Sequence, residues 1–64
     1  MKYYTDKRGW TFFVAADTIS GYKIYYCKPA DHAKPTSYTV WHIEQKEAEK
    51  DLDLLGKQKG WRLG

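Results

Sequence analysis

Residues 44–60 read EQKEAEKDLDLLGKQKG. Glu, Gln, Lys, Ala and Leu are good helix formers, and no earlier stretch of the chain is built from them. Trp41, Ala48, Leu52 and Leu55 recur at spacings of seven, four and three, which places one apolar stripe along a helix. Acids come early (Glu44, Glu47, Glu49) and bases late (Lys57, Lys59), as the helix dipole favours. Glu47 with Lys50, Lys46 with Glu49 and Asp53 with Lys57 have the spacing of supporting ion pairs. Gly60 is the expected stop, because Gly takes the left-handed cap and Trp61 can then fold back onto Leu55. Gly56 then lies inside the last turn at a cost of roughly 1 kcal/mol. No Ser, Thr, Asp or Asn adjoins Glu44 to cap the start.

Upstream of this helix the chain reads as strands and turns. Lys2–Thr5 is a short first strand. Asp6-Lys7-Arg8-Gly9 is a turn, since Asp favours its first position and Gly tolerates positive φ at its last. Trp10–Ala16 and Tyr22–Lys28 are rich in bulky and aromatic residues and read as the second and third strands, joined by a turn at Asp17–Gly21. Pro29–Thr36 contains two prolines, which remove ladder donors, and reads as a loop long enough to carry contacts. Ser37–Ile43 reads as the fourth strand. The order β-β-β-β-α gives a small α+β domain: an antiparallel sheet of three or four strands packed by one C-terminal helix.

A chain of 64 residues is the size of one domain and buries only roughly 60% of its unfolded surface. Its 3 Trp, 6 Tyr and 2 Phe compensate, because each such side chain buries roughly 150–250 Å². The composition excludes disordered and low-complexity classes, and the length excludes a large multi-layer enzyme. No stretch approaches the roughly 18 apolar residues of a membrane span, and Met1–Asp6 lacks an apolar signal region. Cys27 is the only cysteine, so no internal disulfide forms. These features point to a cytoplasmic protein without a membrane partner. The net charge of +3 arises in the first half: residues 1–36 carry six Lys or Arg against three Asp, whereas residues 37–64 carry five against five. A basic half attracts nucleic acid or an acidic protein surface.

One helix covers one face of a sheet, and side chains alternate faces along each strand. Trp10, Phe12, Val14 and Ala16 therefore oppose Thr11, Phe13 and Ala15. Tyr22, Ile24 and Tyr26 oppose Lys23, Tyr25 and Cys27. Thr39, Trp41 and Ile43 oppose Tyr38, Val40 and His42. Both faces carry aromatics, and the face expected to stay open holds Tyr3 or Tyr4, Phe13, Lys23, Tyr25, Tyr38 and His42. Such a face serves cross-strand pairing, a protein contact, or nucleic-acid stacking with phosphates held by Lys and Arg.

Two stretches have counterparts in known families. Arg8-Gly9-Trp10-Thr11-Phe12-Phe13-Val14 resembles the RNA-recognition-motif signature, a basic residue and Gly followed by alternating aromatics. That fold has two helices, and this chain has residues for one. Lys7-Arg8-Gly9-Trp10, Trp41 and Glu47-Ala48-Glu49 resemble the layout of the small sheet-plus-helix modules at the N-terminus of tyrosine-type integrases, without their helix-opening Thr. This second resemblance implies DNA binding.

Enzymatic chemistry finds little footing. Cys27 with His42 or His32 would need an orienting group and an oxyanion site to act as nucleophile and base. Cys27, Asp31, His32 and His42 lack paired metal-ligand spacing, and there is no Gly-rich phosphate loop. The expected protein is a non-enzymatic binding module with no metal, cofactor or small-molecule substrate. Nucleic acid is its leading partner, through Lys7, Arg8, Phe13, Lys23, Tyr25, Tyr38 and His42. The alternative is a protein-interaction or inhibitor module of phage or mobile-element type, including a homodimer.

Overall fold

The computed structural model describes residues 2–17, 21–38 and 42–64. Its elements are β1 (Tyr3–Thr5), β2 (Thr11–Asp17), β3 (Gly21–Lys28), β4 (Asp31–Ser37), α1 (Gln45–Lys59) and β5 (Arg62–Leu63). The strands form one antiparallel sheet in the order β4-β3-β2-β1-β5, a small α+β fold with its helix after the first four strands.

The β1–β2 connection follows its residue types. Asp6 accepts from the Gly9 N–H at 3.1 Å to close the turn, and Gly9 takes φ 84°. Only a residue without Cβ adopts that backbone at low cost. The Asp6 carboxylate also accepts from the Arg8 and Trp10 N–H groups, both at 2.9 Å. Asp17 and Gly21 face each other at the far end of β2 and β3, and the residues between them lie outside those described.

The fourth strand departs from the sequence reading. Pro29 and Ala30 form a two-residue turn between the paired Lys28 and Asp31, and Asp31–Ser37 is strand rather than loop. β4 is an edge strand, so Pro35 breaks no ladder on its outer side. A bulge absorbs the rest: two steps along β3, from Tyr26 to Lys28, correspond to five along β4, from Thr36 back to Asp31. The strand expected at Ser37–Ile43 is thus displaced toward the N-terminus. Beyond it Tyr38 donates to the Ile24 carbonyl, and His42 forms a single bridge with Tyr22. Thr39–Trp41, including the Trp41 assigned to the helix stripe, lie outside the described residues.

The helix docks through the stripe its spacing indicates. Ala48 and Leu52 are fully buried and Leu55 packs beside them, against Phe12, Val14 and Ile24 of the central strands. Glu44 at the N-cap makes no side-chain capping bond. Gly60 caps the far end in the left-handed region, φ 74°, and the Trp61 N–H returns to the Gly56 carbonyl at 2.9 Å. The reversal stacks Trp61 face to face on Phe12, centroids 3.8 Å apart and planes 8° apart, and carries Arg62–Leu63 onto the edge of β1. This two-residue fifth strand is too short to show a period in sequence.

Gly56 has a packing role. A Cβ there would lie 2.7 Å from Cε1 of Tyr4, so its absence lets β1 approach the helix. Gly56→Ala should lower the urea midpoint, because this overlap outweighs the ~1 kcal/mol of helix propensity that Ala brings. Leu52→Ala should cost roughly 2–5 kcal/mol in the same measurement. An unchanged midpoint in either variant would contradict the docking described.

Candidate functional site

Three turns or termini meet at one end of the molecule. The β1–β2 turn and the β3–β4 turn touch there, since a Cβ on Gly9 would sit 3.2 Å from Pro29 Cγ. The last turn of α1 arrives beside them, where Asp6, Lys7 and Arg8 share a shallow depression with Gln58, Lys59, Gly60 and Trp61. Lys7, Arg8 and Lys59 line this depression with Asp6, and Lys28 and Lys34 line a small hollow with Tyr26 and Thr36. Five cations thus line the two hollows, with Asp6 as the acid among them. Four of the six cations of residues 1–36 are thus gathered at one pole, and the helix adds Lys59.

The groups at this pole differ in freedom. Arg8 lies over the Trp10 ring, Cζ 3.6 Å from the centroid, while its Nε and a terminal nitrogen donate to Asp6 Oδ2 at 3.0 and 2.8 Å. Trp10 in turn stacks on Tyr26 at 5.3 Å and 6°. Arg8 is therefore first a turn-stabilising side chain, with part of its guanidinium left to solvent. Lys28 Nζ stands 5.3 Å from the same Trp10 ring and borders a small hollow with Tyr26, Lys34 and Thr36. Lys7, Lys28, Lys34 and Lys59 are all exposed.

The seven residues singled out from sequence divide into three places. Lys7 and Arg8 are at the basic pole. Phe13, Tyr25 and Lys23 share the sheet face opposite the helix, with Phe13 and Tyr25 stacked at 6.2 Å and 26°. Tyr38 and His42 do not join them. Tyr38 makes edge contacts with Phe12 at 5.2 Å, Tyr26 at 6.0 Å and Trp61 at 6.0 Å, all on the helix side. Displacement of the fourth strand changes its parity, because Ser37 rather than Tyr38 pairs with Tyr25. His42 also turns toward the helix, with Nε2 2.6 Å from Asp51 Oδ2 and Nδ1 4.0 Å from Glu47. Trp10, Tyr26, Lys28 and Lys34 are absent from the sequence-based set. The β2–β3 register, with Thr11 opposite Cys27, sets Lys28 beside Trp10, and the Pro29-Ala30 turn returns Lys34 to Tyr26 and Lys28.

Cys27 is buried and shares the parity of Tyr25, so it lies on the face opposite His42. The two cannot act as nucleophile and base. Among the described residues no three His, Cys, Asp or Glu side chains gather as a metal site. No helix among them is long and apolar enough to cross a membrane. The chain matches no protein-family model, no curated protein and no solved structure.

Two carboxylates couple the fold to pH. Burial pushes the Asp6 carboxyl up, but hydrogen bonds from the Arg8 side chain and the Trp10 and Arg8 N–H groups outweigh it and hold it below its ordinary value. Asp53 accepts from Lys2 Nζ at 2.8 Å and from the Tyr4 hydroxyl at 2.6 Å, and both bonds hold it low. The same carboxylate raises the Lys2 ammonium and the Tyr4 phenol. A lowered acid stabilises the fold above its unfolded value, about 3.9 for Asp, and loses that contribution as pH falls through its native value. A raised Lys or Tyr contributes below about 10 and loses its contribution as pH rises through its native value. Urea midpoints measured across pH should therefore fall at both extremes. Asp6→Asn should soften only the acid limb, and Asp53→Asn both limbs. Limbs unchanged in Asp53→Asn would remove the Lys2–Asp53–Tyr4 contact from the account.

Proposed function

We propose that this protein is a small non-enzymatic module that associates with nucleic acid through its basic pole. The observation that carries this reading is the segregation of charge: five cations line the two hollows at the turn end with Asp6, while acids of the helix meet Lys2 and His42 away from it. A phosphate backbone is the polyanion that such a pole attracts at long range, and each phosphate neutralised releases counterions. Rings packed under the cations support it, because Trp10 holds Arg8 and Lys28 close to the surface. The resemblance of Lys7-Arg8-Gly9-Trp10 and the helix to integrase N-terminal modules points the same way.

The competing reading is a protein-interaction or inhibitor module. It draws on the sheet face opposite the helix, where Phe13, Ala15, Ala16, Tyr25 and Pro35 line a shallow apolar groove. Fluorescence anisotropy with labelled oligonucleotides separates the two. Affinity should fall steeply as salt rises, and Lys28→Ala should weaken binding across sequences and reduce the slope of log K against log salt by about 1. No binding to any random oligonucleotide pool at low salt, with a particle mass above 7.5 kDa in light scattering, would favour the protein partner instead.

A further inference from the structure

Tyr26 and Thr36 are direct partners across β3 and β4, and Lys28 and Lys34 each lie two residues away along those strands. The four side chains surround one small hollow of about 100 Å³. In a regular ladder, side chains fill the space between two neighbouring strands. Here the bulge opens it, since five steps of β4 answer the two steps of β3 from Tyr26 to Lys28. Bulges re-aim side chains and recur beside binding sites. The Tyr26 wall is held by its neighbours. It stacks on Trp10 at 5.3 Å, meets Phe12 at 6.1 Å and takes Tyr38 edge-on at 6.0 Å. Lys28, Lys34 and Thr36 are exposed, and among the described residues no carboxylate pairs with either ammonium. Lys2 and Arg8, by contrast, are committed to Asp53 and Asp6.

We propose that this hollow is a subsite for the terminal phosphate of a nucleic-acid strand held at the basic pole. The proposal rests on the nucleic-acid reading and deepens it. A lysine ammonium only donates hydrogen bonds, and Tyr and Thr hydroxyls donate as well, so the lining suits a compact oxyanion. A phosphate monoester carries a charge of about −1.5 to −2 near neutral pH and offers three acceptor oxygens. A diester within the chain carries a single charge and has fewer free oxygens. The lysine pair therefore balances a monoester and overcompensates a diester. The rest of the strand has a path. From the hollow the Trp10 ring leads to Arg8 and on to the depression that Lys7 and Lys59 line. Phosphates behind the terminal one thus meet further cations.

Fluorescence anisotropy at one fixed low salt tests this with two internally labelled DNA strands of nearly equal charge. One has about 12 nucleotides and a 5′-phosphate, and the other ends in a 5′-hydroxyl and is about two nucleotides longer. The phosphorylated strand should bind at least about tenfold tighter. Lys28→Ala and Lys34→Ala should each reduce that preference to about twofold or less, and Thr36→Val should reduce it by about threefold. Lys59→Ala, outside the hollow, should weaken both strands and keep the preference. All four side chains are exposed, so each variant should keep its far-ultraviolet circular dichroism spectrum. Deoxythymidine 5′-monophosphate, which lacks the rest of the strand, should compete only weakly. Equal affinity of the two strands, or a preference that survives both lysine substitutions, overturns the terminal-phosphate proposal and leaves the nucleic-acid reading standing. A mononucleotide that competes as well as the strand assigns the hollow to free nucleotides and overturns the proposal too. Binding of neither strand overturns the nucleic-acid reading itself.

Discussion

The Phe12 ring is the joint on which the fold depends. It is 1% exposed, carries Trp61 on its face and meets the edge of Tyr38. These contacts tie the central strand to the segment after the helix and to the end of β4. A sheet with one helix has a thin core, here Phe12, Val14, Ile24, Ala48 and Leu52. Large rings at its margin extend the burial that a longer chain would obtain from a second helix. The Phe12–Trp61 stack requires the left-handed turn at Gly60, and that turn also delivers β5 to the edge of β1. One interaction thereby decides the path of the last four residues.

Much of this was legible in the sequence because it rests on local chemistry. Asp6 and Gly9 specify their turn through a side-chain acceptor and a positive φ. The helix stripe and its Gly60 stop follow from spacing and from a residue without Cβ. Gly56 shows the limit of that reasoning. Propensity marks it as a cost, whereas Tyr4, distant in sequence, makes it a requirement. The fourth strand shows another limit. Two prolines argue against a strand only where both sides of the ladder are occupied, and position at the sheet edge is a tertiary property.

The candidate site was legible in the same uneven way. Phe13, Lys23 and Tyr25 share a face because β2 and β3 run in regular register, so alternation alone places them. Tyr38 and His42 lie beyond the β4 bulge, where alternation counted from sequence gives the opposite side. The cations of the pole come from the β1–β2 turn, the end of β3, β4 and the end of the helix, and no local pattern brings those together. The fold sorts them: acids along the first turns of α1 meet Lys2 and His42, and bases of its last turn join the hairpin turns. Arg8 illustrates how one side chain serves both ends of this account. Its pairing with Asp6 builds the turn, and the turn presents Lys7.

The central claim is that the basic pole, built on the Trp10 ring, receives nucleic acid. Amide chemical-shift mapping on isotope-labelled protein, titrated with an unlabelled single-stranded oligonucleotide, tests it most directly. The account predicts that the largest perturbations fall on Lys7, Arg8, Trp10, Lys28 and Lys59, with little change along Glu44–Asp53. Perturbations concentrated on that acidic half of the helix, or none at saturating oligonucleotide, would contradict it.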